Sequence, residues 1–179
     1  MKLKITPNNN RRDLRPDDFI VTKTDTKGRI TYANRIFMDI AGLTESELLG
    51  IQHNIIRHPD MPRGVFNFLW ETLKAGDEFF GFVKNLCSDG GYYWVFANIT
   101  PDYDKEGKLQ GYYSVRRQPP QSALDILVPI YKEMLTIESS GSKKEASEKS
   151  MSYLNEKMTQ AGKKSYENFV LNLYKPNGV

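Results

Sequence analysis

Asn54-Ile55-Ile56-Arg57-His58-Pro59-Asp60-Met61-Pro62, followed by Phe66 and Trp70, is the stretch on which the fold turns. Each proline fixes its own φ and pushes the residue before it toward extended backbone. The run therefore reads as a stiff connector that holds a cation, an imidazole and a carboxylate in a set geometry. Arg57 can fork onto a phosphate or a carboxylate, and Asp60 can hold that fork in place. From Pro62, which suits a first helical turn, Phe66, Leu69, Trp70 and Leu73 recur at i, i+3, i+4 and i+7. That is one apolar helical face. A fixed cation beside a Trp-bearing helix suits a planar anionic ligand. An internal salt bridge over a core helix fits the same residues, and spacing alone does not separate the two.

On either side, the chain divides into a polar arm (1–17), a mixed α/β domain (18–119) and a helical tail (120–179). The arm, with Asn8-Asn9-Asn10-Arg11-Arg12, offers nothing to bury. Phe19 to Thr24 reads as a strand, and the Lys27-Gly28 turn leads into a second strand, Arg29 to Tyr32. Asn34 stands where an N-cap belongs, ahead of Ile36, Phe37 and Ile40. Thr44-Glu45-Ser46-Glu47 is a capping box that starts a second short helix. After the Trp70 helix come three longer strands, Glu78 to Leu86, Tyr92 to Thr100 and Leu109 to Arg117, joined by Gly-bearing turns.

The tail differs in character. Leu124, Leu127, Val128, Tyr131, Met134 and Leu135 share one helical face, with Pro129 expected to kink or start that helix. A flexible Ser/Gly/Lys-rich linker is expected near 138–145. Met151, Leu154 and Met158 mark another helix, Gly162 ends it, and Ser165 caps a last one bearing Tyr166, Phe169, Val170 and Leu173. These stripes must bury against the domain itself, a sister chain or a partner.

The central run resembles the PAS domain of bacterial aerotaxis receptors. His53, Asn54, Arg57 through Pro62, Phe66 and Trp70 fit that pattern, which continues in Gly81-Phe82-Val83-Lys84-Asn85 and Gly91-Tyr92-Tyr93-Trp94-Val95. Gly28 to Asn34 and Ala41-Gly42-Leu43-Thr44 resemble the general PAS opening. The resemblance implies an α+β PAS fold, a five-stranded antiparallel sheet with short helices on one face, here followed by the helical tail. It also implies FAD, bound noncovalently and read as a redox signal. The cofactor residues it implies are Asn34, His53, Arg57, His58, Asp60, Phe66, Trp70 and Asn85, with Arg57 the natural partner for the diphosphate or a ring carbonyl.

An isoalloxazine ring wants an aromatic or aliphatic slot and a few amides that both donate and accept. Asn34 and Asn85 have that chemistry, and Asn98 is a third strand amide. Asn34 reads equally as a helix cap, Asn85 as a group satisfying backbone near a turn, and Trp70 as ordinary core. Both histidines, His53 and His58, precede the helix that carries the iron ligand in heme-binding PAS domains, so heme is disfavoured. Light-sensing flavin PAS domains need a cysteine just before the Trp70 helix. The segment His53 to Arg57 has none, and Cys87 falls by a strand end.

The 179 residues suit one domain plus an appendage, and 39% hydrophobic content with 12% aromatics can fill a core. A net charge of +3 without a dense basic block argues against nucleic acid. No apolar stretch spans a bilayer, and Met1-Lys2-Leu3-Lys4 leads into no signal-peptide core. One cysteine permits neither an internal disulfide nor a multi-cysteine metal site. There is no phosphate-binding glycine fingerprint or nucleophile motif. The expectation is a cytoplasmic, non-enzymatic sensor. It has no membrane anchor or methyl-accepting domain, so it passes its signal to a partner protein in trans, with a homodimer left open. Rival readings are a flavin-free PAS module for another small ligand, a PAS dimerisation adaptor and a small flavin oxidoreductase. For the last, nothing specifies a nicotinamide site.

Overall fold

The computed structural model describes residues 5–140 and 142–175. Its strands are β1 (Arg11–Arg12), β2 (Ile20–Asp25), β3 (Ile30–Ala33), β4 (Phe79–Leu86), β5 (Tyr92–Tyr103) and β6 (Leu109–Arg117). Between β3 and β4 lie α1 (Arg35–Ala41), α2 (Glu45–Leu48), a 3₁₀ turn (His53–Ile56) and α3 (Arg63–Lys74). The tail forms α4 (Gln121–Glu138), α5 (Lys143–Gln160) and α6 (Tyr166–Tyr174).

Local chemistry accounts for the starts and stops. The Asn34 side chain accepts from the Phe37 amide at the head of α1, and Gly42 closes that helix at φ 67°, a left-handed conformation that costs glycine nothing. Glu47 reaches back to the Thr44 amide at 2.9 Å, as expected of a capping box. Ser165 receives the Asn168 amide at 3.1 Å and opens α6.

The five antiparallel strands expected from the sequence are all present. β3 pairs β2, β2 pairs β6, β6 pairs β5, and β5 pairs β4. A sixth strand was not anticipated. β1 lies parallel to β5 through Arg11↔Tyr92 and Arg12↔Tyr93, on the edge that β6 takes from Phe96 onward. The arm is thus not a bare appendage. Backbone groups pair at a sheet edge whatever their side chains, Leu14 is buried, and the Arg12 guanidinium donates to the Ile40 carbonyl and to Asp89.

Alternation along the strands makes two faces. Val83, Asn85, Ala97 and Ile99 face α3 across a cavity. Trp94 and Phe96 face the tail, against Tyr131 and Tyr174. The tail therefore buries its apolar stripe on its own domain: Leu124, Leu127, Tyr131 and Met134 are all buried. Tyr131 Oη donates to the Phe82 carbonyl at 3.0 Å and contacts Tyr166 Oη at 3.1 Å.

Pro129 does not start α4, which runs through it from Gln121 to Glu138. The break between α4 and α5 is shorter than the expected linker at 138–145. Glu138 is helical and buried, and Ser142 caps α5 by accepting from the Glu145 amide. Glu138 is held by the head of α3. Its carboxylate accepts from the Arg63 and Gly64 amides at 2.8 Å each and from Ser150 Oγ at 2.7 Å. Met1–Lys4, Gly141 and residues 176–179 lie outside the described residues. No helix among the described residues is long and apolar enough to cross a membrane.

Candidate functional site

A cavity of about 280 Å³ lies between the inner sheet face and α3, just under the usual range for small-molecule sites. Its walls are mostly apolar: Ile56, Leu69, Leu73, Val83, Ala97 and Ile99. Trp70 is 38% exposed and packs edge-on against Tyr112, both residues lining the cavity. Its polar groups converge from two directions. Asn85 comes from β4, Ser114 and Arg116 from β6, and His53 from the 3₁₀ turn opposite.

Arg116 is the dominant charge. It is 5% exposed, and its Nη2 donates to His53 Nε2 at 2.9 Å and to Thr22 Oγ1 at 3.1 Å. Its Nη1 has no partner. Burial draws its pKa down to about 10, and it joins no ion pair among the described residues. Accepting from Arg116 makes His53 neutral at Nε2. Burial first, and the Arg116 charge second, hold its pKa well below the ordinary value. The His53 ring stacks on Phe37, with centroids 5.8 Å apart.

Three groups lining the cavity are buried donors without partners: Asn85 Nδ2, Ser114 Oγ and Arg116 Nη1. Each buried group left unsatisfied costs about 1–3 kcal/mol. A polar-edged ligand in an otherwise apolar slot would satisfy them.

Comparison with known proteins fits this architecture. Residues 30–116 match the family model described as the PAS fold. The chain is 40% identical over 121 residues to the aerotaxis receptor of Escherichia coli K12, covering 68% of this chain and 24% of that protein. Residues 30–116 form a PAS domain. The chain is also 31% identical over 97 residues to a nitrogen fixation regulatory protein of Klebsiella pneumoniae, covering 54% of this chain and 20% of that protein. It thus spans about a quarter or less of the length of these relatives. Among solved structures, a light-oxygen-voltage domain from work with a flavin analogue superposes with a TM-score of 0.55 at 20% identity, over 62% of this chain and 83% of that one. At that identity the likeness speaks for the fold.

Of the residues singled out by sequence, the PAS fold brings His53, Arg57, Phe66, Trp70 and Asn85 to the cavity. Arg57 lies over the Phe66 ring at 4.1 Å and donates to the Met61 carbonyl, and its backbone forms an antiparallel bridge with Asn85. The connector read as stiff is thereby stitched to β4 beside the Asn85 amide.

Asn34, His58 and Asp60 do not line the cavity. The Asn34 amide is engaged by backbone groups: Oδ1 accepts from the Val21 and Phe37 amides, and Nδ2 donates one of its two hydrogens to the Phe19 carbonyl at 2.7 Å. His58 is buried and accepts the Asp60 amide at Nδ1, while Asp60 pairs with Lys84 Nζ at 2.6 Å. Burial, then the Lys84 charge, push the His58 pKa down to about 4. These contacts tie the connector to itself and to Lys84 of β4.

Arg116, Ser114 and Thr22 were missed. Tyr112, Ser114 and Arg116 share one face of β6, and Tyr113, Val115 and Arg117 share the other. Each face carries one tyrosine and one arginine, so alternation could not tell which pointed inward. The signal was the strand itself, which needed its partner β2 to orient it.

Proposed function

We propose that this PAS protein binds FAD noncovalently and reports redox or oxygen status to a partner protein. The observation that carries the reading is the set of unpartnered donors, Asn85 Nδ2, Ser114 Oγ and Arg116 Nη1, at the polar end of an apolar slot. The polar edge of an isoalloxazine ring presents acceptors that match them. The resemblance to aerotaxis receptors supports the same cofactor.

A bound flavin supplies reversible electron transfer and becomes more negative, or takes up a proton, on reduction. Arg116 then acts as a fixed positive charge that favours the reduced state, since no carboxylate among the described residues pairs with it. His53 holds Nη2 of that arginine and keeps it aimed into the cavity. Asn85 can turn its amide to donate or accept, and so can differ between the two redox states, as a switch requires. Its strand β4 carries the Phe82 carbonyl that holds Tyr131 of α4, which gives the change a route from the slot to the tail. Asn34, His58 and Asp60 serve by positioning: one fixes α1 and the other two fix the connector.

The test is an anaerobic reductive titration of purified protein, followed by visible absorption and by backbone exchange of the tail. A flavin band that bleaches reversibly, with altered protection in α4, is the expected result. Reversible bleaching with an unchanged tail leaves a flavoprotein without this relay.

A further inference from the structure

We infer that α3 couples occupancy of the cavity to docking of the tail, which makes Glu138 a positioning residue for the cavity and α5 a reporter of whether it is filled. The inference goes beyond the flavin reading, which supplies only the probe. There, redox state travels along β4 to α4. Here, occupancy travels through α3 to α5.

α3 is a wall with two sides. Phe66, Leu69, Trp70 and Leu73 line the cavity. Gly64, Asn67 and Phe68 fall on the opposite side of the helix, toward the tail. A Cβ at Gly64 would stand 2.5 Å from Ser150 Oγ and 3.1 Å from Met134 Cε, so α4 and α5 press on the α3 backbone itself. Asn67 Nδ2 donates to Ser147 Oγ at 2.7 Å, and the Phe68 ring packs on Tyr166 of α6 with centroids 4.9 Å apart.

The head of α3 also takes its cap from the tail. Pro62 stands at the N-cap and offers no side-chain acceptor, so the first amides of the helix need one from elsewhere. Glu138, the last residue of α4, supplies it to Arg63 and Gly64, and Arg63 Nη2 donates back to the Glu138 carbonyl at 2.7 Å. A carboxylate also suits the positive end of a helix. Ser150 Oγ, fully buried, donates to the same carboxylate, so α5 is fastened to this cap.

A ligand in the slot packs on Leu69 and Leu73 and fixes α3 from one side, while the tail fixes it from the other. Densely packed helices shift as units, so each contact favours the α3 position that the other needs. The effect is then mutual: the factor by which a docked tail raises ligand affinity is the factor by which the ligand favours docking.

The test is amide hydrogen exchange of α5 in the full-length protein, with and without FAD kept oxidised, beside the FAD affinities of wild type and Glu138→Lys. That substitution sets a cation against the α3 amides and Arg63 and holds the tail open. FAD should slow α5 exchange in wild type by about tenfold, and Glu138→Lys should bind FAD more weakly by about the same factor. Exchange of α5 that ignores FAD, or a folded Glu138→Lys protein with wild-type affinity, overturns the coupling. If the variant does not fold, the wild-type comparison decides alone. If wild-type protein takes up no FAD, the flavin reading fails by itself, and Leu69→Ala tests the coupling without a ligand. Trimming the cavity face of α3 should then speed exchange in α5 more than in β2, and an equal rise in both overturns it.

Discussion

Arg116 Nη2 lies 2.9 Å from His53 Nε2, joining the last strand of the sheet to the turn that begins the connector. The contact ties a buried cation to a neutral imidazole and leaves Nη1 free to meet a ligand. Replacing Arg116 with Gln removes the charge while keeping a donor. Because a positive charge favours the more negative reduced state, the flavin midpoint potential of Arg116→Gln should fall, by about 30 mV or more for a two-electron couple. Spectroelectrochemical titration reads this directly; an unchanged potential would remove Arg116 from the redox account.

Asn85 is bridged through its backbone to Arg57, so truncating its side chain spares the scaffold. In Asn85→Ser, flavin should stay bound, while the difference in tail protection between oxidised and reduced protein disappears. Hydrogen exchange under both conditions checks it. Loss of the flavin instead would make Asn85 a holding residue and end its role as a relay.

Glu138 joins the tail to the helix that carries Phe66 and Trp70. Its carboxylate accepts two backbone amides and a serine hydroxyl, all at 2.8 Å or less. Glu138→Gln turns one of these acceptors into a donor facing a donor, with a loss of stability of about 2–3 kcal/mol. Limited proteolysis should then cut the tail first while the PAS domain resists. Gly64→Ala probes the same contact, because an added Cβ would stand 2.5 Å from Ser150 Oγ.

Both histidines have depressed pKa values in the folded state, His58 at about 4 and His53 well below its ordinary value. Between an unfolded value near 6.5 and those folded values, the unfolded chain binds more protons, so stability rises with pH. Stability should therefore fall from about pH 6.5 down to about pH 4, with His58 alone contributing on the order of 2–3 kcal/mol. Urea midpoints at pH 7.5 and 4.5 measure the slope, which should flatten in His58→Gln. A slope that stays the same would assign the acid sensitivity to other groups.

The strands and caps were legible because each depends on neighbours in sequence. Leu109–Arg117 was bounded to the residue, and Asn34 took its place as a cap from one asparagine ahead of an apolar stripe. What escaped depends on distant partners. β1 exists only because β5 has a free edge at Tyr92 and Tyr93, and nothing in Arg11-Arg12 signals a strand. Arg116 looks the same as Arg117 until β2 fixes the face. His58 and Asp60 stood out for their charges between prolines, yet they do not line the cavity, and Asp60 pairs with Lys84 instead. The tail's stripe was plain, but that it lies on Trp94 and Phe96 follows from the sheet's outer face being apolar as well.

The most direct measurement is the identity and amount of chromophore released by denaturing freshly purified protein. The expected result is FAD approaching one per chain, with uptake of added FAD by any protein that lost it. A colourless protein that also refuses added FAD would contradict the central claim and leave a PAS fold with a different ligand.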